Sequence, residues 1–392
     1  MSQLSVAQEN LAKGLSIVSR AVAARATLPC LGNILLATDE GGQLRLAATN
    51  LELGIVCWIG AKVEKPMAST IPAKTLVDLV NTLPQDRVHL SLTDATQTVA
   101  LACGRIKANL KGIAAQEFPV IPRADLAAAV EFPAGSLSQM LDQVTYAAAT
   151  DEARPVLTAV SVTINQDVVK MAASNGFELA LRAARLAKPV AQPVSLLIPA
   201  RALAELRRLL GAEEPVLMCV PEGRGQVIFH HGSIELISQV MEGAFPEYSN
   251  IIPKTHSMRA VMNTAEFRKA CKSADIFARE AAHTARFKVE PGCVTVLATA
   301  AETGGNTAEV AAAVEGETIE IVLNVKYVLD ALGAVATEQV ALETTTPTSP
   351  GVIKPVGRED MLAVVMPMQL HGVADKAAPA VSAAALVPTA AA

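Results

Sequence analysis

Apolar residues recur at helical spacing in six segments of the chain, and stretches that alternate apolar and polar residues lie between them. The first segment covers residues 7–22, where the apolar stripe is formed by Leu11, Leu15, Val18 and Val22. A stripe at this spacing predicts an amphipathic helix whose apolar face packs on a core. Residues 43–46 and 88–92 alternate instead, which is typical of half-buried strands. The pattern therefore predicts an α+β fold.

The other five helices are predicted by the same spacing. The second begins after Pro72, because proline suits the first turn of a helix. The remaining four are predicted around residues 136–149, 201–210, 267–279 and 325–332. Each third of the chain therefore contains two helices among its strands.

The chain also repeats itself at intervals of about 125 residues. The hexapeptide at 71–76 returns at 198–203, and a looser copy stands at 323–329. Residues 48–50 likewise return at 173–175. An interval of this length matches a whole domain of about 100 to 150 residues and is far too long for a solenoid repeat. The chain is therefore predicted to contain three copies of one domain.

The predicted boundaries follow from the copies. We expect the three domains to cover residues 1–127, 128–255 and 256–370. The last segment, 371–392, is nearly all Ala, Val, Pro and Ser, and Pro379 and Pro388 interrupt any helix there. This composition predicts a flexible tail.

Composition limits the class of protein. Hydrophobic residues make up 51% of the chain and charged residues 18%, which is typical of a globular protein. Six scattered cysteines without a Cys-x-x-Cys pair predict reduced thiols. We find neither a signal peptide nor an apolar run of membrane-spanning length, so we expect a cytoplasmic protein with no membrane partner.

Catalytic motifs are not evident in the sequence. We find no phosphate-binding loop, no G-x-G-x-x-G after a strand, no H-E-x-x-H and no G-x-S-x-G. The pair His230-His231 falls on an alternating strand, so its side chains point to opposite faces and do not converge on a metal. We predict no cofactor and no enzymatic activity. A hydrolase or transferase stays as an alternative if titratable groups converge in one pocket.

Basic residues lie opposite the apolar stripes of the predicted helices. The set is Lys13, Arg20, Lys74, Arg201, Arg208, Lys269, Lys272 and Arg279. A solvated helix face is the plain interpretation for any one helix. The net charge of the chain is −5, however, so mainly cationic faces on four of six helices are notable. If these helices share one side, that side attracts phosphates without regard to base sequence.

Several motifs resemble the bacterial DNA sliding clamp family, the beta subunits of DNA polymerase III. The resemblance runs from about Leu4 to Leu370, and its most specific elements are residues 27–33, 245–248, 324–329 and 365–370. It implies three clamp-fold domains per chain, with helices lining a hole and antiparallel sheets outside. It also implies that two chains join head to tail into a six-domain ring around double-stranded DNA.

The resemblance implies a role without chemistry. A clamp tethers the DNA polymerase III catalytic subunit to the template and so confers processivity, because rebinding becomes effectively intramolecular. A clamp loader opens the ring, and other replication and repair proteins bind it. By family position, Arg25 contacts DNA, and an edge strand near Arg105 to Leu110 forms the dimer seam. The alternative is a clamp-derived interaction hub that does not encircle DNA.

Partners of this family dock a short peptide between the second and third domains. By position, the resemblance places this pocket at Leu157, Ser174, Gly176, Phe177, Leu179, Pro246, Asn250, Ile251, Pro350, Val364, Met366, Pro367, Met368 and Leu370. Methionines adapt to varied apolar side chains, which suits a site with many partners. Taken alone, residues 364–368 read as a plain buried strand.

Two features depart from the family pattern. Phe177-Glu178 stands where many members have His-Arg, and Asn250 stands where some have Arg. The polarity of the pocket, and with it the peptide preference, therefore stays open. The family usually ends near residue 370, so we expect the extra segment to leave the pocket and not to compete for it.

Overall fold

The computed structural model describes residues 3–23, 25, 28–151, 153–211, 214–221, 223 and 225–368. Domain I contains β1 Leu4–Ala7, α1 Gln8–Val18, β2 Asn33–Thr38, β3 Gln43–Thr49, β4 Leu53–Gly60, β5 Lys62–Val63, β6 Ala68–Pro72, α2 Ala73–Thr82, β7 Arg87–Thr93, β8 Thr98–Cys103, β9 Ile106–Lys111 and β10 Ile113–Ala114. Domain II contains β11 Val130–Phe132, α3 Ala134–Val144, β12 Ala159–Asn165, β13 Val168–Ser174, β14 Glu178–Arg185, β15 Val194–Pro199, α4 Ala200–Leu209, β16 Val216–Cys219, β17 Gln226–His231 and β18 Ile234–Gln239. Domain III contains β19 Met258–Asn263, α5 Thr264–Ala278, β20 Thr284–Glu290, β21 Cys293–Ala300, β22 Gly304–Gly316, β23 Ile319–Asn324, α6 Val325–Ala334, β24 Gln339–Thr344, β25 Gly351–Pro355 and β26 Met361–Val365.

The second helix of each domain begins at the same place in the repeat. Pro72 and Pro199 are the residues just before α2 and α4, with φ of −51° and −49°. Asn324 takes this place before α6, and its side-chain oxygen accepts the backbone N–H groups of Lys326 and Tyr327. Proline fixes a suitable φ and asparagine satisfies free N–H groups, so both residues start a helix well.

Two helices end earlier than the apolar stripes predict. The helix predicted over 7–22 is Gln8–Val18, followed by a 3₁₀ turn at Ser19–Ala21. The helix predicted over 136–149 is Ala134–Val144, with a 3₁₀ turn at Thr145–Ala147. The stripes overran because residues of the tighter turns, such as Ala21 and Ala147, are also buried.

The strands form three antiparallel sheets that do not follow the domain borders. In one sheet the order is β5-β1-β7-β8-β9, in the second β10-β6-β2-β3-β4-β18-β17-β16-β11, and in the third β15-β12-β13-β14-β26-β25-β24-β19-β22-β21-β20-β23. The pairing of β4 with β18 joins domains I and II, and the pairing of β14 with β26 joins domains II and III. Backbone hydrogen bonds therefore run continuously across both domain junctions.

Both junctions use equivalent strands. In domain I, Gly54 of β4 lies opposite Thr49 and, on its other side, opposite Ile237. In domain II, Leu179 of β14 lies opposite Ser174 and, on its other side, opposite Val364. The strand after the Thr/Ser-Asn turn of one domain thus pairs with the last strand of the next domain.

The third copy of this pairing has no partner within the described part of the chain. Gly305 of β22 lies opposite Thr299. This pair is equivalent to Gly54 with Thr49 in domain I and to Leu179 with Ser174 in domain II. On its other side, however, β22 pairs with β19 only from Ala312 to Gly316. At the other end of the chain, β9 forms the second strand of the β8–β9 hairpin of domain I and pairs only with β8. Among the described residues, β9 and the first part of β22 are therefore both unpaired on one side.

The six helices of the described residues contact one another in a single series. They pack in pairs within domains: α1 on α2, α3 on α4, and α5 on α6. Between domains, Arg20 at the end of α1 forms an ion pair of 3.4 Å with Glu205 of α4. Gln143 of α3 donates to the carbonyl of Ala334 in α6 at 3.1 Å. The order is therefore α2-α1-α4-α3-α6-α5, an unbroken row.

The cores beneath these helices are mainly aliphatic. One large cluster of buried Leu, Ile, Val and Ala side chains runs through domains I and II, and a second fills domain III. Phe267 and Phe287 meet edge to face in the second cluster, with ring centres 6.1 Å apart. None of the helices that the structure describes is both long and apolar enough to cross a membrane.

Candidate functional site

The predicted basic residues lie on the exposed side of the row of helices. Lys13 and Arg20 are exposed on α1 and on the turn that follows it, and Lys74 is exposed on α2. The other members, Arg201, Arg208, Lys269 and Lys272, are exposed on α4 and α5. Arg25 is exposed in the loop after α1. Arg279 lies beyond the end of α5 and forms an ion pair of 3.1 Å with Asp275.

Carboxylates partly neutralise this surface between domains I and II. Glu205 of α4 accepts from Arg208 at 2.6 Å and from Arg20 at 3.4 Å. Asp142 of α3 similarly holds the Nε of Arg207, with both carboxylate oxygens at 2.9 Å. Arg20 and Arg207 therefore also link neighbouring helices, and Arg208 is paired within α4, so the charge of these arginines is less free to meet an anion.

Of the predicted cations that lie on helices, five form no ion pair within the described part of the chain: Lys13, Lys74, Arg201, Lys269 and Lys272. On α5 they are joined by Arg268, which the sequence-based site did not include. Arg268, Lys269 and Lys272 line a cleft of about 590 Å³ at the start of that helix. The unpaired cations thus lie on α1, α2, α4 and α5, with the densest group at the start of α5.

A tight turn at residues 174–177 forms the centre of the predicted pocket. The hydroxyl of Ser174 donates to the carbonyl of Glu178 at 2.6 Å and accepts the N–H of Gly176 at 3.1 Å. Gly176 has a φ of +91°, and a Cβ there would meet Arg154 at 2.6 Å. Only glycine therefore suits this position. The turn leaves Phe177 58% exposed.

The end of β26 continues beside this turn. Met366 donates its N–H to the carbonyl of Phe177 at 2.8 Å, and its side chain is 37% exposed. Pro367 bridges to Leu323, and Met368 donates its N–H to Val322 at 2.8 Å. The chain thus crosses from the domain junction onto β23. Leu370 lies outside the described residues.

Beneath the turn lies a small apolar cluster on the outer face of the sheet. Leu179, Val352 and Val364 form it, and Tyr248 and Ile252 pack against it. The sequence-based site included Leu179 and Val364 and missed the other three. Tyr248 belongs to the Phe-Pro-Glu-Tyr motif at residues 245–248, so this motif could have predicted that the loop packs at the site.

The remaining predicted residues lie in the segments around this cluster. Pro246, Asn250 and Ile251 are exposed on the loop that carries Tyr248. Leu157 is buried in the 3₁₀ turn at Pro155–Thr158. Arg154, just before that turn, donates to the carbonyl of Asn175 at 2.7 Å. Pro350 immediately precedes Gly351, which pairs with Val365.

A cleft of about 540 Å³ extends from the cluster along β14 and β26. Leu181, Leu362, Tyr248 and Ile252 line its apolar part. Arg182 lines the far end, where Asp360 forms ion pairs with both Arg182 and Arg358. The two arginines hold the pKa of Asp360 below its usual range in spite of burial. Asp360 is thus held by two arginines at this end of the cleft.

Titratable groups do not converge on a metal in the residues that the structure describes. His230 contacts Glu235 at 3.4 Å, and His231 instead accepts from the backbone of Gly211 at 3.0 Å. The two histidines therefore point to different surroundings, as their strand positions predict. Cys57, Cys103, Cys219 and Cys271 are buried, and burial raises the pKa of each thiol.

Comparison with known proteins covers nearly the whole chain. Family models for the N-terminal, central and C-terminal domains of the DNA polymerase III beta subunit match residues 2–122, 131–247 and 249–369. The beta sliding clamp of Synechococcus elongatus is 32% identical over 372 residues, which cover 93% of this chain and 98% of that protein. The beta sliding clamp of Caulobacter vibrioides is 30% identical over 375 residues, with 94% and 100% covered.

Solved structures of bacterial sliding clamps have the same fold as this chain. The DNA polymerase sliding clamp of Bacillus subtilis superimposes with a TM-score of 0.90 at 24% identity, covering 94% of this chain and 99% of that one. A DNA polymerase III subunit beta from Pseudomonas aeruginosa, bound to griselimycin, gives a TM-score of 0.87 at 26% identity, covering 94% and 100%. The α+β fold of three repeated domains is confirmed.

Proposed function

This chain belongs to the family of DNA polymerase III beta subunits, the bacterial beta sliding clamps, and we propose that it encircles DNA as a homodimeric ring. The observation that carries the proposal is the pair of open edges on β9 and β22. One kind of strand pairing links domain I to II and domain II to III. A third pairing of this kind would join β22 of one chain to β9 of another. We infer domain boundaries near residues 127 and 255.

The repeat also gives the register of this seam. The hairpins of β8–β9 and β17–β18 close on equivalent pairs, Cys103 with Ile106 and His231 with Ile234. Ile237 lies opposite Gly54. By the repeat, Asn109 is equivalent to Ile237 and Gly305 to Gly54. Asn109 of the partner subunit should therefore lie opposite Gly305. Ile106 of the partner subunit should then lie opposite Ala308.

Exposed apolar side chains support this seam. Ile106 on β9 is 38% exposed and Ile276 on α5 is 62% exposed. Ser273 contacts Asn306 at 3.3 Å, so α5 lies directly against the open part of β22. Large apolar side chains at both free edges are expected where a surface is buried by association. Burial of these two residues would remove apolar area from water and stabilise the ring.

In the proposed ring, the row of helices faces the DNA. Lys13, Lys74, Arg201, Lys269 and Lys272 supply charge without a base-reading element, so attraction to phosphates is independent of sequence and weakens with salt. Arg25 contributes from its loop. Enclosure provides retention, and the weak contacts allow sliding. The role is processivity rather than catalysis, and the partners are the polymerase catalytic subunit and the clamp loader.

Partner proteins are proposed to insert a peptide at the turn of residues 174–177. The exposed Phe177 and Met366, above the cluster of Leu179 and Val364, offer an apolar site that a griselimycin-like peptide ligand fits. Other clamp-binding replication and repair proteins would share this site. We infer that the protein works in the cytoplasm, on the nucleoid during replication.

Retention on closed circular DNA tests the function. The chain is loaded on nicked circular duplex by a clamp loader and chased with salt, and its release is compared before and after the circle is cut. A clamp of two chains stays on the circle and leaves the linear form. Replacing Lys13, Arg20, Arg201 and Lys272 by Glu should abolish retention on the circle, because a helix row with reversed charge repels the phosphates and prevents the ring from being loaded. Equal release from both forms would favour the interaction hub.

A further inference from the structure

Glu178 is buried under the rim of the proposed pocket, where domains II and III meet. Its side chain is 5% exposed, and one carboxylate oxygen accepts from the amide group of Asn175 at 2.9 Å. The amide oxygen of Asn175 in turn accepts the backbone N–H groups of Phe177 and Glu178, both at 2.9 Å. The carboxyl group of Glu178 therefore fixes the side chain that shapes the rim turn.

The same residue begins the strand pairing between the domains. Glu178 lies opposite Val365, and the next residue of that strand, Met366, donates its N–H to the carbonyl of Phe177 at 2.8 Å. The rim turn and the junction thus share one short stretch of backbone. A displacement of Glu178 must move Phe177 and Met366 together.

The groups that face Glu178 come from both domains and are mostly acidic or neutral. Helix α6 contributes Lys326, Tyr327 and Asp330, and the 3₁₀ turn after α3 contributes Tyr146. The hydroxyl of Tyr146 is buried and has no hydrogen-bond partner among the described residues. On the rim side, Arg154 is bound to the carbonyl of Asn175. Asp275 and His283 act on Asp330 from the end of α5.

These surroundings disfavour a charge on Glu178. Burial, and then the negative charge of Asp330, raise its pKa to about 8, against the opposing effects of Asn175 and Lys326. Burial also raises the pKa of Asp330. Near neutral pH the carboxyl of Glu178 is therefore mostly protonated, and ionisation places a second negative charge at the domain contact.

We propose that Glu178 is a positioning residue of the partner pocket, and that its neutral carboxyl keeps the rim turn and the junction of domains II and III in their binding arrangement. This inference rests on the pocket assigned under the proposed function. When Glu178 ionises, it repels Asp330 across the junction and gains by moving toward water. That movement loosens the contact of Phe177 with Met366, so the affinity for a peptide ligand falls as pH rises.

The chain offers matched variants for a test. Glu178→Gln keeps the size and the hydrogen bond of the neutral carboxyl but cannot ionise. Asp330→Asn removes the facing charge and should move the midpoint of the transition to lower pH. Glu235→Gln is the control, because Glu235 is also buried, at 6% exposure, but lies at the junction of domains I and II.

Calorimetric titration with griselimycin between pH 6.5 and 9.5 measures the effect. The affinity of the wild type for griselimycin should fall about tenfold over this pH range, which corresponds to a change of one pKa unit in Glu178 on binding. The affinity of Glu178→Gln should change by less than about twofold. Glu235→Gln should follow the wild type. Taking the ratio of wild type to variant at each pH removes any titration of the ligand. Parallel curves for wild type and Glu178→Gln would overturn the proposal.

Hydrogen exchange of the Met366 amide decides the matter without a ligand. In the wild type its protection, relative to Glu178→Gln at the same pH, should decrease about tenfold from pH 6.5 to 9. If griselimycin failed to bind at every pH, the proposed pocket would be wrong. The hydrogen exchange measurement would still test the effect of Glu178 on the junction. Equal protection of the Met366 amide in the wild type and Glu178→Gln would contradict the proposal for Glu178. If Glu178→Gln does not fold, the same comparison is made between the wild type and Asp330→Asn.

Discussion

The two domain junctions of this chain share one backbone plan and differ in what covers them. At the junction of domains I and II, the outer apolar cluster includes Val56, Ile237 and Phe118, and the linker adds Ile121 and Ala124. At the junction of domains II and III, the equivalent cluster is smaller, with Leu179, Val352 and Val364 at its centre. The linker fills the first junction, whereas the second linker packs Tyr248 and Ile252 on the cluster and leaves Phe177 and Met366 beside it exposed.

A repeated phenylalanine shows the difference most directly. Phe118 precedes a proline in the first linker and is 6% exposed, whereas Phe245, its equivalent in the second linker, is half-buried. Phe245 packs edge to face on Tyr248 instead, with ring centres 6.2 Å apart. The proposed binding site thus lies at the junction that its own linker covers less completely. The strands are alike, and the linker sequences decide which junction is open.

Truncation of these two phenylalanines should give the largest effect. Phe118→Ala leaves a cavity in a closed cluster and should lower the free energy of unfolding by about 3–5 kcal/mol. Phe245→Ala loses only a partly solvated aromatic pair, worth about 0.5–1.5 kcal/mol. Urea unfolding of each variant beside the wild type measures both values. Equal losses would show that the second junction is as tightly closed as the first.

The buried glutamates of the two junctions differ in what faces them. Glu235 contacts His230, while Glu178 faces Asp330 across domains II and III. Between pH 4.5 and about 8, the folded chain binds a proton on Glu178 that the unfolded chain releases. The free energy of unfolding therefore falls as pH rises through this window.

Glu178→Gln should remove that dependence. We expect the free energy of unfolding of the variant to fall less than that of the wild type between pH 5.5 and 8.5, by about 2 kcal/mol or more. Urea midpoints at the two pH values measure the difference, and Glu235→Gln should keep the wild-type slope. A wild-type slope in Glu178→Gln would mean that Glu178 is already ionised at pH 5.5.

The extent of the open site is tested by a pair of equivalent residues. Met366 donates its N–H to Phe177, and Gln239 donates its N–H to Glu52 at 2.9 Å in the first junction. Met366→Ala should weaken griselimycin binding about tenfold, or 1.4 kcal/mol, because an apolar contact is lost. Gln239→Ala should leave binding unchanged. Calorimetry checks both, and a loss in Gln239→Ala of similar size would point to a second site at the closed junction.

Much of the framework could be predicted from local sequence patterns. Apolar spacing located the helices, and the repeat at 48–50 and 173–175 marked equivalent segments, which the structure places just before both junction strands. The pocket residues Ser174, Gly176 and Phe177 came from family position, and the structure places them together on one turn. Local signals suffice for the helices because each helix depends on residues close in sequence.

The rest depended on contacts between distant segments. Glu205 and Arg20 are 185 residues apart, so their ion pair could not be read from either helix. Tyr248 and Ile252 reach the pocket through a linker whose path is set by packing on another domain. The burial of Glu178 follows from α6, which lies in domain III. Long-range packing decides such positions, and no local pattern records it.

Deletion of residues 372–392 should have the smallest effect, and it bears on the contrast between the junctions. The segment lies outside the described residues and follows β26, which belongs to the open junction. Its Ala-rich, proline-interrupted sequence offers few groups that could hold it on the protein. Griselimycin affinity should therefore stay within about twofold, or roughly 0.4 kcal/mol. If deletion tightened binding well beyond that, the chain would cover its second junction with its own end, and both junctions would be closed.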